Sequence, residues 1–298
     1  MIKILVTGGA GFIGSHLVNK LINSGFDVVV IDNLSTGKEK NIHPKASFYK
    51  IDICNGQKIR PLFKGVTYVF HLAALPRIQR SIEHPKETHR VNVEGTLNVL
   101  LASSEMGVKR FIYASSSSVY GQQPLFPLKE NFAPNPMSPY AIQKLVGEYY
   151  CKVFSKIYKL ETVSLRYFSV YGPHQNEQDY YATVIPKFFK FKKENMPLII
   201  YGDGNESRDF TYIDDVVEAT LLSLKNNRIG NGEIINICFG KDISINQIAD
   251  IIGGKKVYCK AREGESKHTL GDNSLAKKLL GWHPKIRLEE GLRKLQNY

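Results

Sequence analysis

Three glycines spaced three apart, at 8, 11 and 14 in Thr7-Gly8-Gly9-Ala10-Gly11-Phe12-Ile13-Gly14, constrain this chain more than any other feature. They follow an apolar run, Ile2-Lys3-Ile4-Leu5-Val6, and precede a segment whose Leu17, Leu21 and Ile22 share one helical face. The periodicities read as a buried strand and an amphipathic helix joined by a tight turn. A side chain in such a turn would hold a pyrophosphate away from the backbone N–H groups and the positive end of the helix. The turn therefore points to phosphate held by backbone at Gly8, Gly11, Phe12, Ile13 and Gly14.

A second apolar run, Phe26-Asp27-Val28-Val29-Val30-Ile31, ends in Asp32, eighteen residues after Gly14. An acid there is placed to accept hydrogen bonds from an adenosine ribose, and it would repel a 2′-phosphate. No arginine follows in Asn33-Leu34-Ser35-Thr36-Gly37 to attract one. The expected cofactor is NAD rather than NADP. A third strand, Ser47–Ile51, ends at Asp52-Ile53, which could hold the edge and face of an adenine; the alternative for Asp52 is a helix cap before Gln57. A fourth, Tyr68–Leu72, ends in Ala73-Ala74, small enough for close approach of a cofactor. Residues 86–105 read as one helix containing Asn92. Further strands are Phe111–Ala114, Thr162–Phe168 and Glu233–Ile237.

This alternation of strands and helices predicts an α/β fold, a doubly wound parallel sheet of the Rossmann type. Residues 1–168 with about 211–238 should form it. Residues from about 169 to 210 and 239 to 298, where the pattern loosens, should form a smaller, discontinuous lobe over the carboxyl edge.

The 298 residues include no apolar run long enough to span a membrane, and Met1-Ile2-Lys3 leads straight into a core strand, so a cytoplasmic protein is expected. The four cysteines lack C-x-x-C spacing, which suggests neither a metal site nor a disulfide framework. A formal charge of +12 is spread over scattered lysines without a basic block. It reads as solvated surface and attraction for a charged nucleotide, not as a nucleic-acid site.

Two stretches carry candidate chemistry. Ser115-Ser116-Ser117-Ser118-Val119-Tyr120-Gly121 follows the fifth strand, where parallel sheets place their ligands. In Ser138-Pro139-Tyr140-Ala141-Ile142-Gln143-Lys144, Ser138 suits a helix cap and Pro139 the first turn. Tyr140 and Lys144 then stand one turn apart on one face, an ammonium near a phenol.

Together these features resemble the extended short-chain dehydrogenase/reductase superfamily. Leu165-Arg166-Tyr167-Phe168, Val184-Ile185-Pro186-Lys187-Phe188, Tyr201-Gly202-Asp203-Gly204 and Arg208-Asp209-Phe210 resemble in particular its UDP-sugar 4-epimerases. The resemblance implies a reversible oxidation and reduction at the sugar C4, with tightly bound NAD. Tyr140 would take the hydroxyl proton, Ser116 would relay it, and Lys144 would bind the nicotinamide ribose and lower the Tyr140 pKa. Bringing a phenol from about 10 to about 7 takes roughly 4 kcal/mol. A cation ~4 Å away supplies about that much at an effective dielectric near 20.

The same resemblance implies cofactor contacts from Leu72, Asn92, Ser115, Tyr167 and Phe168. It also implies substrate contacts from Ser117, Thr183, Val184, Ile199 and Tyr201, the last three around the uracil. Arg208 and Arg262 would bind the diphosphate and Glu265 a ribose. Dehydratases and decarboxylases of the superfamily carry an acid in the serine run; this chain has none.

Departures bear on the sugar. Ser169 stands where most relatives have Asn, Pro76-Arg77 where N-acetyl-accepting members often have Gly-Ser, and a small Thr269 at the position that gates the pocket. UDP-glucose/UDP-galactose and UDP-GlcNAc/UDP-GalNAc are the expected pairs. The alternatives are UDP-glucuronate 4-epimerisation or a non-catalytic NAD sensor. Relatives dimerise through a four-helix bundle, and here helices 86–105 and 140–158, with Tyr149, Tyr150, Val153, Phe154 and Ile157, would supply it.

Overall fold

A computed structural model describes residues 1–296. Its centre is a seven-stranded, wholly parallel sheet built from β1 (Lys3–Thr7), β2 (Asp27–Asp32), β3 (Ser47–Lys50), β4 (Tyr68–His71), β5 (Arg110–Ser116), β6 (Glu161–Tyr167) and the strand Asn231–Ile237. The spatial order is Asn231–Ile237, β6, β5, β4, β1, β2, β3, so the chain reverses direction across the sheet between β1 and β4. Such a switch point opens a crevice at the carboxyl ends of the strands.

Alternate side chains along each strand enter different cores, as the two-residue strand period requires. Ile4 and Val6, with Val28, Val30 and Phe70, pack with Leu17, Val18 and Leu21 of helix α1 (Phe12–Asn23) and with Val216 and Val217 of the helix Ile213–Leu222. Leu5, Val29, Ile31 and Val69 pack on the other face with Val99, Leu100, Cys151 and Phe154. Each such side chain contributes roughly 1.5–3 kcal/mol of burial, and having both faces covered explains the unbroken apolar runs.

After β6 the chain forms three two-stranded pairs: Val170–Tyr171 with Thr211–Tyr212, Leu198–Tyr201 with Lys256–Cys259, and Ser207–Asp209 with Asp242–Ser244. Asp209 ties down the last of these pairs, accepting from the N–H groups of Phe239, Gly240 and Gly271.

Three local expectations change. The single helix of 86–105 is an α-turn (Pro85–His89), a π-helical segment (Arg90–Gly95) and an α-helix (Thr96–Glu105). At Gly95 a Cβ would come 2.6 Å from Ile53, so the wide turn sits where the helix presses on its neighbour. Asp52 caps no helix; Asn55 does, accepting from the Lys58 N–H. Of the apolar residues assigned to a dimer surface, Phe154 is buried in the core and Tyr150 packs against it. Tyr149, Val153 and Ile157 are exposed, at 56%, 42% and 69%. Among the described residues no helix is long and apolar enough to cross a membrane.

Candidate active site

The crevice is a cavity of about 600 Å³ running from the glycine turn to the small strand pairs. At its first end Gly8 has φ +73° and an added Cβ would stand 2.7 Å from the Ala73 nitrogen. A Cβ at Gly14 would come 2.1 Å from the Gly8 carbonyl oxygen. No side chain caps α1, whose N-terminal residues Phe12, Ile13 and Gly14 line the cavity. An uncapped helix N-terminus against a side-chain-free turn fits a diphosphate. Asp32 is buried beside it, accepting from the N–H groups of Ala10 (3.0 Å) and Leu34 (2.8 Å). Burial raises its pKa, opposed by these two hydrogen bonds. Asn33, Ser35, Thr36, Ile53, Leu72, Ala73 and Ala74 complete this wall.

A buried network, not evident in the sequence, fixes the switch point. His71 meets Thr7 Oγ1 through Nδ1 at 2.7 Å and Thr96 Oγ1 through Nε2 at 2.9 Å, and the Ala73 N–H donates to Thr7 Oγ1. Burial, helped by the Lys144 charge, lowers the His71 pKa to about 3, so the ring is a neutral strut.

The middle of the cavity holds the serine run and the helix Pro139–Ile157, capped by Ser138 Oγ accepting from the Ala141 N–H. Ser116 ends β5, its Oγ accepting from the Ser118 N–H, and its side chain acts on the Tyr140 phenol to pull the pKa of that group down. Lys144 is buried below, donating to the Ala114 carbonyl at 2.7 Å, with Nζ 4.9 Å from the Tyr113 ring centre and 5.9 Å from that of Tyr140. Desolvation pulls its pKa down to about 8, while Glu148, one turn further along, pulls the other way. Glu148 in turn accepts from Ser115 and forms a two-bonded ion pair with Arg166 (2.8 and 2.7 Å), all of it buried.

The Tyr140 phenol stands above its ordinary pKa, because burial outweighs the opposing effects of the Ser116 side chain and the Arg77 charge. The Lys144 ammonium, 5.9 Å from the Tyr140 ring centre, is engaged with the Ala114 carbonyl.

The far end carries cations. Arg208 donates to the Ser207 and Lys267 carbonyls and to Glu265 at 3.2 Å. Arg262 lies 3.8 Å over the Tyr201 ring and 4.0 Å from Glu265. Glu265 thus serves first as the counter-charge to two arginines. Thr183, Val184, Ile199 and Tyr201 line this end, with Ser117, Ser169, Thr269 and Arg77 also in the walls.

The cavity brings together all but four of the residues assigned from the sequence. Gly37, Asp52, Asn92 and Phe168 do not line it. Gly37 packs against Ala10, and Asp52 turns to the Cys54 N–H and, at 3.8 Å, to Arg90. Asn92 ties both polar groups of Leu75 to Gln143, and Phe168 fills a core beside Tyr120. Sequence reasoning missed Gln175, Tyr181 and Lys187, which line the cavity from the 172–187 stretch. The loop carrying the first two has no periodicity that could reveal which way its side chains face.

A glycine turn at the switch point and a Ser-Tyr-Lys cluster in the same crevice define a nucleotide-dependent oxidoreductase-type fold. The chain belongs to the NAD dependent epimerase/dehydratase family, matched over residues 4–238, and within it to the UDP-sugar 4-epimerases of the extended short-chain dehydrogenase/reductase superfamily. It is similar to the UDP-glucose 4-epimerase of Thermotoga maritima, solved with UDP-glucose (39% identity, 100% of this chain and 98% of that one, TM-score 0.96). It is also similar to the UDP-N-acetylglucosamine 4-epimerase of Methanobrevibacter ruminantium M1 in complex with UDP-N-acetylmuramic acid (38%, 98% and 96%, TM-score 0.92). A third is the UDP-glucuronic acid 4-epimerase of Bacillus cereus with UDP-glucuronic acid and NAD (36%, 100% of both chains, TM-score 0.92). The family, the parallel sheet and NAD as cofactor agree with the sequence reading.

Proposed function

We propose that this enzyme reversibly epimerises a UDP-hexose at C4 through a 4-keto intermediate. The observation that carries the reading is that Ser116, Tyr140 and Lys144 share one cavity with the glycine turn and Arg208. The backbone of Gly8–Gly14 would hold the NAD diphosphate, Asp32 the adenosine ribose and Lys144 the nicotinamide ribose. When bound there, NAD would supply reversible hydride acceptance at C4 and a positive charge that favours Tyr140 phenolate.

Tyr140 Oη takes the proton from the sugar O4 as the C4–H bond breaks, and gives it back when that carbon is reduced. Ser116 hydrogen-bonds the same oxygen and relays the proton. Arg208 and Arg262 bind the diphosphate, the charge-assisted pairing guanidinium suits. Thr183, Val184, Ile199 and Tyr201 hold the uridine, with Ser117, Ser169 and Thr269 around the hexose. Residues 169–210 and 239–298 make up this substrate lobe. UDP-glucose and UDP-GlcNAc pairs fit the small Thr269; Arg77 favours UDP-glucuronate as a second reading. Two chains pair through the exposed stripe of Tyr149, Val153 and Ile157.

The test is turnover of the purified protein on UDP-glucose, UDP-GlcNAc and UDP-glucuronate without added NAD, with 4-epimers resolved by NMR. Tyr140→Phe should lower kcat at least about 100-fold, the scale of a lost acid–base group, while NAD content stays unchanged. Wild-type protein that turns over none of the sugars with NAD restored, or a Tyr140→Phe variant of undiminished rate, refutes the reading.

A further inference from the structure

Arg77 differs from the other arginines of the cavity. It precedes the helix Ile78–Glu83 with φ +99°, a region that side chains rarely adopt. Strain of this kind persists where the surroundings over-determine it, and it gathers at binding sites. The side chain lines the cavity, is 26% exposed, and its charge acts on the Tyr140 phenol, which places it at the reacting end. Arg208 has Glu265 and two carbonyls; Arg262 has the Tyr201 ring. Arg77 has only an incomplete match. Its acid partner is Asp179, 3.7 Å from Nε, and among the described residues the buried Nε has no hydrogen-bond partner.

A partly buried guanidinium with an unmet N–H attracts a group that brings both charge and acceptor oxygens. A neutral hydroxyl supplies an acceptor without the charge. A carboxylate supplies both, and its two oxygens match the guanidinium fork. Asp179 already marks the direction of approach with a carboxylate of the chain itself, at a distance beyond a hydrogen bond. Thr269 adds a small wall residue whose buried Oγ1 is also without a hydrogen-bond partner among the described residues.

We propose that Arg77 receives a carboxylate carried by the hexose, so that the preferred substrates are UDP-sugars with an acidic substituent. The carboxylate can be C6 of a uronic acid or belong to an acidic ether on the ring. The inference rests on the 4-epimerase reading and names the sugar class that site selects. Arg77 recognises the substituent and takes no proton.

The test compares kcat/KM for UDP-glucose, UDP-GlcNAc, UDP-glucuronate and UDP-N-acetylmuramate in the wild-type holoenzyme and in Arg77→Gly and Arg77→Lys. Glycine accepts the φ at 77 without strain, so folding should survive. The wild type should favour one of the two carboxylated sugars, and which one identifies the source of the carboxylate. In Arg77→Gly the ratio of carboxylated to neutral sugar should fall roughly 10- to 100-fold, the scale of a charged hydrogen bond; Arg77→Lys should retain part of it. Efficient turnover of neutral sugars only would overturn the inference and leave the 4-epimerase reading intact. An unchanged ratio in Arg77→Gly, with kcat lowered on every sugar and its pH profile moved, would overturn it in favour of a role on the Tyr140 phenol. Were no sugar turned over, calorimetric binding to Tyr140→Phe holoenzyme would decide: equal affinity for UDP-glucose and both carboxylated nucleotides overturns the inference, and tighter binding of either acid upholds it.

Discussion

Replacing Glu148 by Gln should damage stability and the environment of Lys144 together. The carboxylate is buried among Arg166, Ser115 and Lys144, and it accepts two hydrogen bonds from the Arg166 guanidinium. Gln keeps the shape but leaves a buried cation without its counter-charge, a change that costs about 3–5 kcal/mol. For 298 residues the unfolding entropy is roughly 0.6 kcal/mol per kelvin, so Tm should fall by about 5–8 °C. Glu148→Leu with Arg166→Met should recover most of the loss, because an apolar pair leaves no charge stranded.

The pH dependence supplies a second check. Lys144 titrates at about 8 in the folded chain, below its ordinary value of 10.5. The unfolded chain therefore binds the extra proton between these values, and the Lys144 contribution to stability rises with pH across that window. Glu148 stabilises only the ammonium form, so the deficit of Glu148→Gln should be largest below about pH 8 and smaller near pH 10. Calorimetric melts from pH 6.5 to 10 read both effects. A drop under 2 °C at pH 7, or a double variant no better than the single one, would refute the account of this ion pair.

Gly14→Ala sets a Cβ 2.1 Å from a backbone oxygen that no rotamer can move. It should cost about 1–3 kcal/mol and strip NAD from the purified protein; retained absorbance of bound nucleotide after gel filtration would count against the phosphate site. Val153→Glu places a charge in the exposed apolar stripe and should shift sedimentation from dimer to monomer without changing the far-UV spectrum. A wild-type protein that sediments as a monomer at micromolar concentration would remove the dimer proposal.

Much of this architecture was legible in the order of residues. The glycine turn, the apolar runs and Asp32 are local signals, because a parallel strand covered on both faces must be apolar throughout and a turn that meets phosphate must lack side chains. The Ser138 cap and the four-residue spacing of Tyr140 and Lys144 are equally local, and both appear in the helix that begins at Pro139. The π-helical turn at 90–95 escaped the sequence reading because it answers to Ile53 pressing on Gly95, a contact between distant segments.

The sequence by itself determined the sheet class, the family and the cofactor, since period, turn chemistry and motif need no partner from elsewhere in the chain. Only the tertiary structure decided which charges face one another. Glu265 is occupied by Arg208 and Arg262, Glu148 by Arg166, and Lys144 by a carbonyl, whereas the Nε of Arg77 is left unmet beside Tyr140. Burial and charge pairing depend on residues far apart in sequence, and desolvation has no magnitude until the fold has excluded the water.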